Sequence, residues 1–345
     1  MIDLIYILPS EKGPTGGIKV AAQHSKIINE LKKNILCKTI FIKKKKISKW
    51  KSSINKLISS KQKKNARGWA FNQIVIDKNN KTKWFDNNIS IKNDFNFDKN
   101  RDFIILPEIF AHFAKDLLIK NNINYAIFVQ NGHALNFTSD HSALNLAYTK
   151  AKFILTVSSH INQCVKIAFP ESKNKIFKIN QYIKNHKVNY KLKSRIITYM
   201  PRKLPDHSKL VLFFLKKYLP KNWKIVRLEN MSEHDVIKNL IKSKIFLSFS
   251  NLEGFGLPPL EAATLGNIVI GYTGQAGNEY WNSPIFKKIE QGDILNFVEK
   301  INSTIKKKIN YSAINIHKKK LLKNYSKKNQ EKQILEILKR IKIYF

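Results

Sequence analysis

The sequence predicts an α/β protein made of two similar halves, each a parallel sheet covered by helices. Three observations predict it. Short apolar runs rich in β-branched and aromatic residues, among them 2–8, 101–106, 125–129 and 245–250, alternate with longer stretches of helical apolar spacing. Runs that are apolar on both faces belong to parallel strands buried between helices. The alternation restarts near 195, beyond a polar stretch at 184–194, and a chain of 345 residues holds two domains of ordinary size, each with its own core.

The first strand, 2–8, runs into Pro9 and a loop that ends in Gly16 and Gly17. Residues 18–33 follow with helical spacing at Val20, Ile27, Ile28 and Leu31. The loop does not match Gly-x-Gly-x-x-Gly, which leaves nicotinamide and flavin binding with little support. A second strand covers 37–42. Lysines then crowd 43–51 around Trp50, with Ile54, Leu57 and Ile58 beyond them, a composition suited to an anionic membrane surface or to a solvated basic loop. Strands or an insertion are expected at 72–77 and 83–91. The strand 101–106 ends at Pro107 and Glu108, with a helix expected over 110–120, so Glu108 lies at a carboxyl edge where ligands bind or serves the helix dipole. The strand 125–129 ends in Gln130, Asn131, Gly132 and His133. A further strand at 151–157 carries Ser158, Ser159 and His160 at its tip, and Ser159 is placed to cap the helix 161–169. Residues 176–179 form the last strand before the stretch 184–194, the expected hinge.

In the second half, the strand 195–200 is followed by Pro201, Arg202 and Lys203 and by a helix over 206–218, with Lys209 as a further cation. The strand 223–228, the helix 232–241 and the strand 245–250 lead into Asn251-Leu252-Glu253-Gly254-Phe255-Gly256-Leu257-Pro258-Pro259-Leu260-Glu261. A helix tolerates proline in its first turn and stops at glycine, so the strand is expected to end near Asn251 and a helix to run from about Pro259 to Gly266. At the carboxyl end of a parallel strand, a helix start offers unpaired N–H groups and about half a positive charge to an anion. Gly254 and Gly256 let the backbone approach a ligand. Glu253 and Glu261 repel phosphate but accept hydroxyls, so the stretch suits a ligand with a diphosphate at its centre and hydroxyls at both ends. A nucleotide sugar has that layout. The strand 267–271 then opens a loop, 272–281, holding Gly274, Gly277, Asn278 and Glu279, and helices are expected over 291–301 and 318–344.

Glu253 and Glu261, separated by seven residues and enclosing Gly-Phe-Gly-Leu-Pro-Pro-Leu, resemble the Glu-(seven residues)-Glu signature of retaining GT-B glycosyltransferases of the glycosyltransferase family 4 type. The resemblance implies two Rossmann-like domains facing across a cleft. Residues 1–188 would form the acceptor side and 189–325 the nucleotide-sugar side, with a last helix, 326–345, crossing back to the first domain. It implies that Glu253 faces the donor sugar and Glu261 the ribose hydroxyls, with Gly254, Phe255, Gly256 and Leu257 along the diphosphate. Arg202 and Lys203 would neutralise that diphosphate, although they are adjacent and the usual Gly-Arg opening is missing. Gly16 and Gly17 resemble the N-terminal loop whose amides face donor and acceptor; Asn278 would touch the donor. His133 resembles the histidine beside the transferring bond, which makes Glu253 and His133 the catalytic candidates. Retention implies a front-face route in which the leaving phosphate helps accept the acceptor's proton. No Asp-x-Asp string and no His/Cys cluster has the spacing of a metal site, so the expected reaction needs neither metal nor cofactor beyond the donor.

A hydrophobic fraction of 43% supports a folded chain, and the net charge of +39 fits anionic partners or a general bias toward lysine. The bases are spread through the chain and the aromatics form no stacking platform, which disfavours a basic nucleic-acid-binding protein. A sugar-nucleotide epimerase on the same fold is a further reading. Two cysteines, Cys37 and Cys164, exclude a disulfide framework. The opening residues lack a basic leader and stop at Pro9. The expectation is a cytoplasmic protein, peripheral at the inner membrane face if it touches an anionic membrane, with a nucleotide sugar and a glycan or lipid-linked glycan acceptor as partners.

Overall fold

In the computed structural model, which describes residues 1–11, 15–31, 34–44, 74–78, 89–282 and 284–345, the apolar run after Met1 forms β1 (Ile2–Pro9), buried from Asp3 onward. The chain divides into two units. Met1–Thr156, Asn162–Lys178 and Ile334–Phe345 make the first, and Val157–Ile161 with Ile179–Gln333 the second.

In the first unit, β1 is followed by α1 (Gly16–Glu30), β2 (Ile35–Lys44), β3 (Ile74–Ile76), β4 (Ser90–Ile91), β5 (Asp102–Pro107), β6 (Asn124–Val129), α2 (His141–Lys150), β7 (Phe153–Thr156), the greater part of α3 (Ser159–Ala168) and β8 (Ile176–Lys178). The sheet order is β3-β2-β1-β5-β6-β7-β8, with β4 also on β2. Its pairings are parallel except β2 with β3. The order reverses between β1 and β5, the kind of position where open α/β sheets bind ligands. Stacked Phe103 and Phe153, with centroids 5.3 Å apart, belong to its core, and each such buried ring contributes about 1.5–3 kcal/mol. The final segment joins this unit through the Arg340 guanidinium 4.2 Å over the Phe177 ring and Tyr344 6.1 Å from Phe103.

Two expectations for this unit change. The helix expected over 110–120 is a 3₁₀ turn, Glu108–Phe113, and then a π turn, Lys115–Ile119. Phe110, Ala111, Ala114 and Leu118 are buried along it. Helix α2 was not anticipated, although its buried Ala143, Leu144, Ala147 and Tyr148 keep helical spacing. The lysine-rich stretch around Trp50 lies outside the described residues.

The second unit runs β9 (Ile196–Tyr199), α4 (Pro205–Leu215), β10 (Lys224–Arg227), α5 (Glu233–Lys242), β11 (Ile245–Glu253), α6 (Leu257–Thr264), β12 (Ile268–Gln275), β13 (Phe286–Lys288), α7 (Ile294–Lys306), α8 (Tyr311–Asn324) and the start of α9 (Lys327–Lys342), whose residues from Ile334 onward belong to the first unit. Its parallel sheet has the order β10-β9-β11-β12-β13 and reverses between β9 and β11. The single helix expected over 318–344 is two helices. Tyr325 is buried against Phe255 at 5.4 Å, and the Ser326 hydroxyl accepts the Asn329 amide at 3.2 Å to start α9. The expected hinge also changes character: Lys193 is buried, and its ammonium donates to the carbonyls of Leu240 (3.0 Å), Ser243 (2.7 Å) and Leu265 (2.7 Å). It closes the C-terminal ends of α5 and α6, where a cation meets the negative end of each helix. Among the described residues, no helix is long and apolar enough to cross a membrane.

Candidate active site

The central element is the end of β11. From Ile245 to Ser250 it pairs residue for residue with β12, and then three steps on β11 match two on β12, with Glu253 opposite Gln275. This is a β-bulge, a device that re-aims a side chain at the end of a strand. Leu252 takes the strained φ of 48° inside it. The chain then turns through Gly256 at φ 84°, a left-handed conformation open to glycine, and enters α6 with Pro258 and Pro259 in its first turn. The strand is thus two residues longer, and the helix starts two residues earlier, than the sequence implied. Neither proline carries an N–H, which leaves the amides of Leu257 and Leu260 as the donors of that turn.

Glu253 is one-fifth exposed and pairs with the Lys203 ammonium at 3.5 Å. Both line a small open recess with Met200, Arg202, Ser248, Ser250, Pro258 and Pro259, at the reversal between β9 and β11. Gly274 makes room for Glu253: a Cβ there would lie 2.7 Å from the glutamate Cγ and 3.0 Å from its Cβ. Behind the corner, the buried Tyr280 hydroxyl donates to the Gly256 carbonyl, fixing the turn. Burial raises the Tyr280 pKa well above its ordinary value, and the charges of Glu253 and Glu261 add to that rise, so both acids bear on one hydroxyl.

The recess brings together Arg202, Lys203 and Glu253 and leaves the other second-unit candidates outside its lining. Glu261 is half-buried on α6. Gly254 is buried, and its carbonyl accepts the Ser158 hydroxyl at 2.8 Å. The Phe255 ring is packed against Tyr280 and Tyr325, so a ligand role is restricted to its backbone. Leu257 is half-buried at the helix start, and Asn278 is exposed on the 3₁₀ turn Ala276–Glu279. Its neighbour Glu279 accepts the Ser159 amide at 2.7 Å. The cap of α3 is Ser158 rather than Ser159, since the Ser158 hydroxyl accepts the Ile161 amide at 3.2 Å. Lys209 faces solvent beside Asp206, 3.7 Å away.

In the first unit, Gly16 and Gly17 open α1, whose Thr15 cap makes no side-chain hydrogen bond to the helix. A Cβ on Gly17 would fall 2.3 Å from Gln130 Oε1, so the helix start and the end of β6 touch. His133 is half-buried in the turn Gly132–Ala134, and its amide donates to Asn131 Oδ1 at 3.0 Å. Sequence reasoning passed over Ser248 and Tyr280 as parts of the second-unit corner, and placed Gly274 in the loop after β12 without its role beside Glu253. The signal for Gly274 and Tyr280 was present in the glycine-rich loop after β12, but only pairing with β11 shows which side chain they serve. Among the described residues there is no group of three His, Cys, Asp or Glu able to hold a metal ion.

No protein-family model matches the chain, and the comparison with curated proteins returns no match. Solved structures do resemble it. The lipopolysaccharide outer core galactosyltransferase WaaB, apo form, superposes with a TM-score of 0.62 at 14% identity, covering 98% of this chain and 99% of that one. The sucrose-phosphate synthase of Thermosynechococcus elongatus gives 0.64 at 8% identity with 100% of each chain covered. A variant of S. aureus TarM in complex with Fondaparinux, alpha-GlcNAc-glycerol and UDP gives 0.53 at 15% identity over 68% of this chain. This chain spans 55% of that one. At such identities the likeness establishes the fold, which is GT-B as expected.

Proposed function

We propose that this chain is a retaining glycosyltransferase of the glycosyltransferase family 4 type, moving a sugar from a nucleotide diphosphate sugar to a hydroxyl of a glycan or lipid-linked glycan. One observation carries the proposal: the bulged end of β11 aims Glu253 into a recess with Lys203 and Arg202, at the sheet's reversal point. Anion recognition by Arg202 and Lys203 and hydroxyl recognition by Glu253 meet there.

In this reading, Arg202, Lys203 and the Leu257 amide stabilise charge building on the leaving diphosphate. Glu253 orients the sugar and opposes positive charge at its anomeric carbon, and Glu261 takes the ribose hydroxyls. The bond from anomeric carbon to diphosphate oxygen breaks while the acceptor oxygen bonds to the same face. The acceptor's proton passes to the departing phosphate oxygen. His133, Gly16 and Gly17 belong to the acceptor side. The Lys203–Glu253 pair would open as the diphosphate takes over the ammonium. A lipid-linked acceptor would place the enzyme at the cytoplasmic face of a membrane.

The TarM variant was solved with UDP, which makes UDP the first probe. A melting screen of UDP, ADP and GDP and their sugars on wild type and Glu261→Ala tests the proposal. Ligand at about 100 times Kd adds about 2.7 kcal/mol to stability. At least one nucleotide should raise the wild-type melting temperature, and the alanine variant should respond less. No response to any nucleotide refutes the donor site. Steeply salt-dependent binding to arbitrary DNA, with no nucleotide response, would restore the nucleic-acid reading, and an epimerised donor formed without acceptor would favour the epimerase.

A further inference from the structure

We propose that Glu108 is a positioning residue whose carboxylate holds the end of β6 in place and so orients His133. Its relevance to sugar transfer rests on the function proposed above. Glu108 follows β5 and is 6% exposed. The Gln130 amide donates to its Oε2 at 3.1 Å and the Asn131 amide to its Oε1 at 2.9 Å. Each carboxylate oxygen thus grips one of two consecutive amides just after β6. Asn131 then passes the constraint on, because its side chain accepts the His133 amide at 3.0 Å. The Gln130 side chain lies against Gly17 at the start of α1. One buried acid therefore links three chain ends, those after β1, β5 and β6, around the reversal point of the first sheet. With both oxygens engaged by backbone and little surface exposed, Glu108 is suited to hold the turn and not to touch a ligand.

The protonation state decides whether the grip is complete. A carboxylate accepts from both amides, whereas a carboxylic acid turns one oxygen into a donor facing an N–H. Burial pushes the Glu108 pKa up to about 7, against the pull of the Gln130, Asn131 and its own amides. The ionisable group that feels its charge from α2 is Tyr148, whose own pKa stays well above the ordinary tyrosine value through burial and that charge. Tyrosine does not titrate in the neutral range, so the acid is the group that changes.

The test follows the backbone amide protons of Gln130 and Asn131 by NMR between pH 5.5 and 8.5. It is run in a His133→Asn background, so that the imidazole does not titrate in the same window. Both resonances should move together toward higher frequency as pH rises, with one shared midpoint, and in Glu108→Gln neither should titrate. In the protein with His133 intact, Glu108→Gln should also shift the His133 ring resonance at pH 8.5. Amides that do not titrate, or that titrate unchanged in Glu108→Gln, overturn the proposal, and the titration of the His133→Asn protein with Glu108 intact decides this even if Glu108→Gln does not fold. UDP should raise the melting temperature of Glu108→Gln as much as that of wild type; loss of the UDP response in the variant alone would mark Glu108 as a general support of the fold and overturn the positioning role. If UDP shifts neither protein, the donor reading fails while the amide titration still decides the role of Glu108.

Discussion

A methyl group on Gly274 would show whether the loop after β12 sets the position of Glu253. Gly274 sits at φ 66°, and an added Cβ would lie 2.7 Å from Glu253 Cγ and 3.0 Å from both Glu253 Cβ and Ser250 Cβ. Two penalties therefore add: left-handed backbone costs roughly 1–2 kcal/mol for a residue with a Cβ, and overpacking costs roughly 1–3 kcal/mol. Gly292 provides the control, since it has φ 96° and nothing within 4 Å of an added Cβ, so Gly292→Ala bears the backbone cost alone. For a unit of this size 1 kcal/mol corresponds to about 2–4 °C, and Gly274→Ala should melt below Gly292→Ala by roughly 2–12 °C. Relief of the clash swings Glu253 away from Lys203, so Gly274→Ala should also lose nucleotide-sugar response while Gly292→Ala keeps it. Melting curves with and without UDP-sugar supply both readouts. Equal melting temperatures and equal ligand responses in the two variants would refute the claim that Gly274 supports Glu253.

Replacing Lys193 by methionine leaves the carbonyls of Leu240, Ser243 and Leu265 without their common donor, and urea titration should show a loss of about 2–4 kcal/mol. Ser158→Ala removes a helix cap and the bond to the Gly254 carbonyl, so it should cost about 1–3 kcal/mol. Burial lowers the His24 pKa from 6.5 to about 3. The folded state then binds fewer protons than the unfolded one between those values, so the His24 contribution is intact above pH 6.5 and is lost as pH falls toward 3. Denaturant titrations of wild type and His24→Phe from pH 7.5 to 4 should show a steeper acid loss in wild type, and identical slopes would refute it.

The strands were readable because parallel strands covered on both sides read as near-continuous apolar runs, as at 245–247 and 104–106. The corner at 253–261 was readable because Gly256 takes a left-handed turn and Pro258 and Pro259 sit in a first helical turn that tolerates them. What the sequence hid depends on partners distant along the chain. The bulge exists only in the pairing of β11 with β12, and the Gly256 turn is held by Tyr280, 24 residues away. Lys193 looked like part of a solvated hinge because its three acceptors come from helix ends 47 to 72 residues further on. The break between α8 and α9 likewise follows from the burial of Tyr325 against Phe255, which no local propensity announces.

Glu253 and Glu108 show how surroundings divide labour between identical side chains. Each ends a strand beside the reversal point of its own sheet, where the diverging connections leave a crevice. Glu253 keeps one-fifth of its side chain in solvent and has a partly exposed lysine as its partner, a contact that a ligand can replace at small cost. Glu108 has given both oxygens to fixed amides, and freeing either would strand a buried donor at about 1–3 kcal/mol. The first arrangement suits exchange of partners during turnover and the second suits holding a shape through it. Exchanging Glu253 for glutamine should therefore alter ligand response with little change in melting temperature, whereas the same exchange at Glu108 should disturb the β6 turn before any ligand is added.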